Sequence, residues 1–215
     1  MRYMKLSGLG LIVFALGAMV VFGQGNQEAA NLTREGIEAS KAKDWDKAIA
    51  AFKKAAQLEP RYAPNLASAL QQRATVYVSQ GKFQEAVADY SDALKVKAQD
   101  PNIFERRAYA EMQLKNYDRA LHDYSEAIKL SPEEPKYYQV RALIYQTKGD
   151  FKAALADVDK ILKVDPNNQD ALQRKKFLEA KLHAPPTPPP TPSGPIPNPN
   201  VRPPATATAT PATKP

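Results

Sequence analysis

The sequence predicts an all-α solenoid of helix pairs, on three observations. One motif recurs four times in the middle of the chain, with an aromatic residue followed three positions later by alanine: Trp45 and Ala48, Phe83 and Ala86, Tyr117 and Ala120, Phe151 and Ala154. Within each recurrence the apolar residues step by three and four, which is the helical period. Proline, a helix breaker, is segregated: thirteen of the 19 prolines fall after His183, and most of the others stand at the ends of the recurring units. A period of this length that is sustained through the chain signals a stacked repeat.

In chain order, the first element is residues 1–23. Arg2 and Lys5 precede an uncharged run from Leu6 to Phe22, and the small residue Gly23 follows. A basic start, an apolar middle and small residues near a cut are the layout of a secretory signal, with cleavage expected after Gly23 or Gly25. The alternative is an uncleaved single-span anchor, for which the run is short and diluted by Gly8, Gly10 and Gly17. Under either reading the positive residues stay on the cytoplasmic side and the remainder is exported.

Four units follow, 29–62, 67–100, 101–134 and 135–168. Their openers Phe83, Tyr117 and Phe151 are equally spaced, and the step from Trp45 to Phe83 is longer by the four positions of Ala63–Leu66, an insertion between the first two units. Each unit opens with a stretch carrying Leu32, Leu70, Phe104 or Tyr138, and four positions later Gly36, Ala74, Ala108 or Ala142. Small residues at one repeated place suit the close approach of two helices. The second stretch carries Phe52, Tyr90, Tyr124 or Val158, large enough to fill the remaining space. Gly-Lys, Lys-Asn or Gly-Asp between the stretches supplies a turn, and proline closes or opens units. A fifth amphipathic stretch, 169–183, has no partner helix; its Ala171, Leu172, Phe177 and Leu178 are expected to cover the last pair. The tail, 184–215, is rich in Pro, Thr and Ala. It holds too little apolar surface to order itself, so a disordered, extended spacer is expected there.

The period and residue types resemble the tetratricopeptide repeat family over about residues 29–168. That resemblance implies a right-handed superhelix in which the first helix of each pair lines a concave face, and it implies protein or peptide binding there. Candidate groove residues are Tyr109, Met112, Leu143, Gln71, Glu105 and Gln139, with Thr33 and Ile37 in the first unit. The family's clamp for chaperone tails places Lys, Asn and Arg at set points of three successive units. The matching places here hold Thr33, Ile37, Gln72, Asn102 and Arg106 in one frame, and Gln71, Thr75, Arg106, Lys136 and Val140 in the next. Only fragments of the clamp are therefore present. The few charges among the groove candidates imply a modest salt dependence of binding.

The residue inventory argues against catalysis. Cysteine is absent, which removes thiolate nucleophiles and zinc–thiolate sites. The two histidines, His122 and His183, lie far apart in sequence, and no serine is placed to complete a triad with His122 and Asp123. The carboxylates are spread over all units, and there is no glycine-rich phosphate loop. No enzyme, cofactor or metal is expected. Nucleic acid is not expected either. The formal charge of +7 is largely an end effect, since Gln24–His183 carries 26 basic against 23 acidic residues, interspersed.

Aligning the units yields one more expectation. Arg73, Arg107 and Arg141 share one place, and Asp89, Asp123 and Asp157 share another, each Asp following its Arg by the same interval. The first unit has Glu35 and Ala51 there, so both members change together. Arg–carboxylate bridges within each pair of helices are predicted, worth at most about 1 kcal/mol each where partly exposed. The sequence thus reads as an exported, non-enzymatic scaffold for an unidentified protein or peptide. It would touch a membrane only through an uncleaved N-terminus. The alternative is a structural envelope protein, attached by its tail and self-associating through its repeats.

Overall fold

A computed structural model describes residues 26–183; the expected signal and the proline-rich tail lie outside the described residues. Among these, all regular structure is helical. Residues 26–41 form α1, followed by α2 (Trp45–Leu58), a 3-10 turn (Pro60–Tyr62), α3 (Ala63–Ser79), α4 (Phe83–Val96) and α5 (Pro101–Gln113). The order continues with α6 (Tyr117–Leu130), α7 (Pro135–Thr147), α8 (Phe151–Val164) and α9 (Gln169–His183). Odd-numbered helices from α1 to α7 are the first members of pairs, and even-numbered ones the second. No described helix is long and apolar enough to cross a membrane.

Local chemistry sets these boundaries. The turn inside each pair needs one residue in the left-handed region. Gly81 (φ 72°) and Gly149 (φ 80°) supply it in two units, Lys43 (φ 59°) and Lys115 (φ 60°) in the others. Asp44 and Asp150 then accept backbone N–H bonds from Lys47 and Ala153, capping α2 and α8. Pro101 and Pro135 open α5 and α7, where a missing N–H costs nothing. The four inserted residues, Ala63–Leu66, become a helical turn: α3 has 17 residues where α5 and α7 have 13. Four residues are close to one turn, so the insertion lengthens α3 at its start and leaves the register of its packed face intact.

The core is a chain of linked clusters. One unites Leu70, Ala74, Ala86, Tyr90 and Ala93 of α3 and α4 with Ile103 and Ala110 of α5. The next joins Ala108, Ala120, Tyr124 and Ala127 to Tyr137 and Ile144 of α7, and the last joins Ala142, Ala154, Val158 and Ile161 to Ala171 and Leu178 of α9. Each pair therefore completes its core with the first helix of the following unit. Leu178 is fully buried, as is Ile144 at the same repeat position.

Two expectations are corrected. Phe177 does not cover the last pair; it is 43% exposed. Its neighbour Leu178 takes the buried position, and a one-residue step on a helix turns the side chain away from the seam. Thr33 does not face a groove. It is buried, and its hydroxyl donates to the Ala29 carbonyl at 2.8 Å.

The ends of the array are polar. Asn31, Glu35 and Glu38 of α1 are exposed at the places where later units bury Ile103 or Tyr137, hold Arg107 or Arg141, and bury Ala110 or Ile144. On α9, exposed Lys176 stands where Ala108 and Ala142 admit a partner helix, and no helix among the described residues packs there.

Candidate functional site

The first helices of the pairs share one exposed surface. A single repeat position carries Ile37, Thr75, Tyr109, Leu143 and Phe177 on α1, α3, α5, α7 and α9. Four of the five are large apolar residues, and they are 41, 46, 42 and 43% exposed for Ile37, Tyr109, Leu143 and Phe177. Soluble proteins expose single apolar residues freely, but a file of them at one structural position is the mark of an interaction face.

Two clefts open along this file. The larger, about 630 Å³, is lined by Thr75 and Val78 of α3, by Asn102, Glu105, Arg106, Tyr109 and Met112 of α5, and by Lys136 and Val140 of α7. The hydroxyl-bearing rings of Tyr90 and Tyr124 complete its lining. Burial and the nearby Glu105 charge push the Tyr124 phenol well above its usual range, so it is neutral and serves only as a hydrogen-bonding group. Lys136 Nζ lies 3.0 Å from Glu105 Oε2, and that bond raises the lysine pKa. The smaller cleft, about 400 Å³, is bounded by Leu143, Gln146, Asp170, Gln173, Arg174 and Phe177.

Of the groove residues expected from sequence, Tyr109, Met112 and Glu105 line the larger cleft and Leu143 the smaller one. Met112 is half-buried against the second core cluster, so it also serves packing. Gln71 is half-buried and Gln139 exposed, and neither lines these two clefts. Phe177, which the sequence places on the cap, belongs to the face. It follows Leu143 by the same step that separates Leu143 from Tyr109, and that step is the signal that could have found it.

The Arg–Asp positions meet in all three units. Arg73 Nε and Nη2 donate to Asp89 at 2.8 and 2.7 Å, Arg107 to Asp123 at 2.8 Å twice, and Arg141 to Asp157 at 2.9 and 2.7 Å. Each is a two-pronged bond across one helix pair, and it holds the Arg107 and Arg141 guanidinium groups above their ordinary pKa. The aspartates are nearly fully buried, so the bridges are less exposed than the sequence suggested.

The remaining nitrogen reaches the preceding unit. Arg107 Nη1 donates to Ser91 Oγ at 3.1 Å and Arg141 Nη1 to Ser125 Oγ at 2.9 Å. Lys53 occupies the serine place in the first unit and cannot accept, so Arg73 Nη1 pairs with Asp46 instead. On α9 the same register holds: Lys175 Nζ bonds Asp159 at 2.7 Å. These linkers orient consecutive units and thereby align the exposed file. Sequence reading missed them, although Ser91 and Ser125 hold the same place in consecutive units.

On the far side, a cleft of about 500 Å³ holds Glu111, Arg119, His122 and Asp123. His122 Nδ1 is 3.3 Å from Asp123 Oδ1, but both Asp123 oxygens are taken by Arg107. Ser91 Oγ donates to the Val87 carbonyl while accepting from Arg107. The pair is thus engaged in the inter-unit network. Among the described residues no cluster of His, Asp or Glu is arranged to hold a metal ion.

A helix-pair repeat with an exposed apolar file over its clefts is an interaction module by architecture. Residues 72–135 and 135–168 match family models described as tetratricopeptide repeat, and this stretch of the chain is built of tetratricopeptide repeats. A search of curated proteins gives no match. Among solved structures, a tetratricopeptide repeat protein from Parabacteroides merdae is 28% identical with a TM-score of 0.56, covering 73% of this chain and 60% of that one. The chain therefore spans less than two thirds of that relative. The first repeat domain of Spaghetti (RPAP3), bound to the HSP90 peptide SRMEEVD, is 25% identical with a TM-score of 0.50, over 55% of this chain and 94% of that one. The MamA protein, 18% identical with a TM-score of 0.54 over 73% and 83%, shares the fold.

Proposed function

We infer that the chain is an exported, non-enzymatic scaffold that holds a segment of another protein against the face of its first helices. The observation that carries this reading is the file of Tyr109, Leu143 and Phe177, exposed on adjacent helices above two clefts. Exposing these side chains to water is unfavourable by about 25 cal/mol per Å² of apolar surface, and a partner that covers them relieves it. The similar Spaghetti domain with its bound peptide supports a segment as the ligand form. Export rests on the basic start and uncharged run of residues 1–23.

The test compares the full chain with a Tyr109→Ala, Leu143→Ala variant. Both side chains are exposed, so thermal melting is expected to stay within about 1 kcal/mol of the parent. A photo-crosslinker placed at Thr75 should map a discrete partner segment from envelope extract in the parent and lose it in the variant. Unchanged crosslinking with an intact fold would remove this face from the function.

A further inference from the structure

We propose that the segment held on this face is acidic as well as apolar, with carboxylates set between large side chains, and that Arg106 and its repeat equivalents read those carboxylates. This rests on the reading above and specifies its ligand.

Three positions before the apolar one, the first helices carry Arg34, Gln72, Arg106, Val140 and Arg174 in chain order. Arginine recurs on every second helix of the face. These arginines differ from their neighbours Arg107 and Arg141, whose forks are filled by buried aspartates. Among the described residues, Arg34, Arg106 and Arg174 have no carboxylate in ion-pair contact. Arg106 Nη1 donates to Thr75 Oγ1 at 3.2 Å, and Arg174 Nη1 lies 3.4 Å from Gln146 Oε1; both acceptors are neutral and sit on the preceding first helix. The positive charge is positioned without being neutralised. In the larger cleft the acid is already spent, since Glu105 is paired with Lys136. Asp170 at the start of α9 is the other acid on the clefts, so the face holds Arg34, Arg106, Lys136 and Arg174 against Glu105 and Asp170.

Desolvation favours an acidic ligand. Arg106 and Tyr109 are one helical turn apart and line the same cleft. A segment seated on Tyr109 takes water away from the Arg106 guanidinium. A neutral or basic segment would leave that cation covered and unpaired, which is costly. An acidic one replaces the water with a charge-assisted bond. A terminal carboxylate is not required, because the arginines are spread along the file instead of gathered at one point.

The experiment uses the full chain and fluorescein-labelled peptides of equal length built from Glu and Leu, Gln and Leu, Lys and Leu, or Glu and Ser. Each is made with amidated and free C-termini, and binding is read by anisotropy at low and high salt. The amidated Glu/Leu peptide should bind about tenfold tighter than Gln/Leu, and added salt should erode that advantage. Arg106→Gln should narrow the gap between Glu/Leu and Gln/Leu, Arg34→Gln with Arg106→Gln and Arg174→Gln should close it, Arg106→Lys should keep part of it, and Arg119→Gln, on the far side, should change nothing. Tyr109→Ser should weaken both peptides. If Gln/Leu or Lys/Leu binds as tightly as Glu/Leu, and does so through Tyr109, the acidic requirement is wrong while the binding face stands. Binding confined to free C-termini would replace this proposal with an end-reading clamp. If no peptide binds in a Tyr109-dependent way, the proposal and the face both fall.

Discussion

Replacing Gly36 with alanine should destabilise the protein, although alanine occupies the equivalent place in every other unit. Ala74, Ala108 and Ala142 are fully buried in units that carry Tyr90, Tyr124 and Val158 where the first carries Phe52. At Gly36 an added Cβ would sit 2.6, 2.8 and 2.9 Å from Cε1, Cδ1 and Cζ of the Phe52 ring. Ordinary carbon contacts lie near 3.5–4.0 Å, so the ring must move by most of an ångström, and it is itself buried. Mid-helix Gly→Ala is worth about 1 kcal/mol in favour of the helix; overpacking costs about 1–3 kcal/mol. The net expectation for Gly36→Ala is a loss of about 1 kcal/mol, a fall in Tm of about 2–4 °C at this size. Phe52→Val, the residue type of the fourth unit, removes the obstacle. In that background Gly36→Ala should raise stability, so that the substitution changes sign. Urea denaturation followed by circular dichroism on the four proteins of the cycle gives the coupling directly. Coupling below about 0.5 kcal/mol, the additivity limit, or stabilisation by Gly36→Ala in the parent would refute the reasoning.

Lys115→Gly should stabilise by about 0.5–1 kcal/mol, because Lys115 sits at positive φ where Gly81 and Gly149 serve other units; a thermal melt reads it, with Gly149→Ala shifting the other way. Arg107→Met should cost about 3 kcal/mol by leaving Asp123 buried without its guanidinium, and Arg107→Met with Asp123→Leu should recover more than half, measured by urea denaturation. Burial pushes the Asp100 carboxyl up, but bonds from Lys97 Nζ and the Asn102 N–H outweigh it and hold its pKa below the usual value. Its folded pKa is therefore depressed, so its contribution is present above about pH 4 and lost as pH falls through the folded value. The stability gap between the parent and Asp100→Asn should narrow below about pH 4 in acid titrations.

The helix pairs were legible because they are written several times over. An ambiguous apolar step in one unit is resolved by its equivalents, and the joint change at Glu35 and Ala51 exposed the Arg–Asp pairing. The parts that stayed hidden are those where one unit meets another. Phe177 reads as a cap residue when α9 is taken alone, since an isolated amphipathic stretch does not reveal which face has a neighbour. The bonds from Arg107 to Ser91 and from Arg141 to Ser125 cross unit boundaries, where matching positions within a unit carry no signal. Ala63–Leu66 read as an insertion because alignment counts residues, whereas the fold counts helical turns. Arg34, Arg106 and Arg174 look like ordinary surface charge until the ion pairs of their neighbours are known.

The closed ends restrict how an array of this kind can change length. Asn31 and Glu38 at one end and Lys176 at the other reject an added unit, so a duplicated unit has a compatible seam only in the interior. A duplicate of the second or third unit carries its own Arg, Asp and Ser and so joins both neighbours without new chemistry. It would nevertheless shift the alternation of free arginines by one helix. A single added unit would put two arginines or two neutral residues side by side, whereas two added together would preserve the beat. Growth in steps of two is then the kind of lengthening that leaves the ligand's spacing readable.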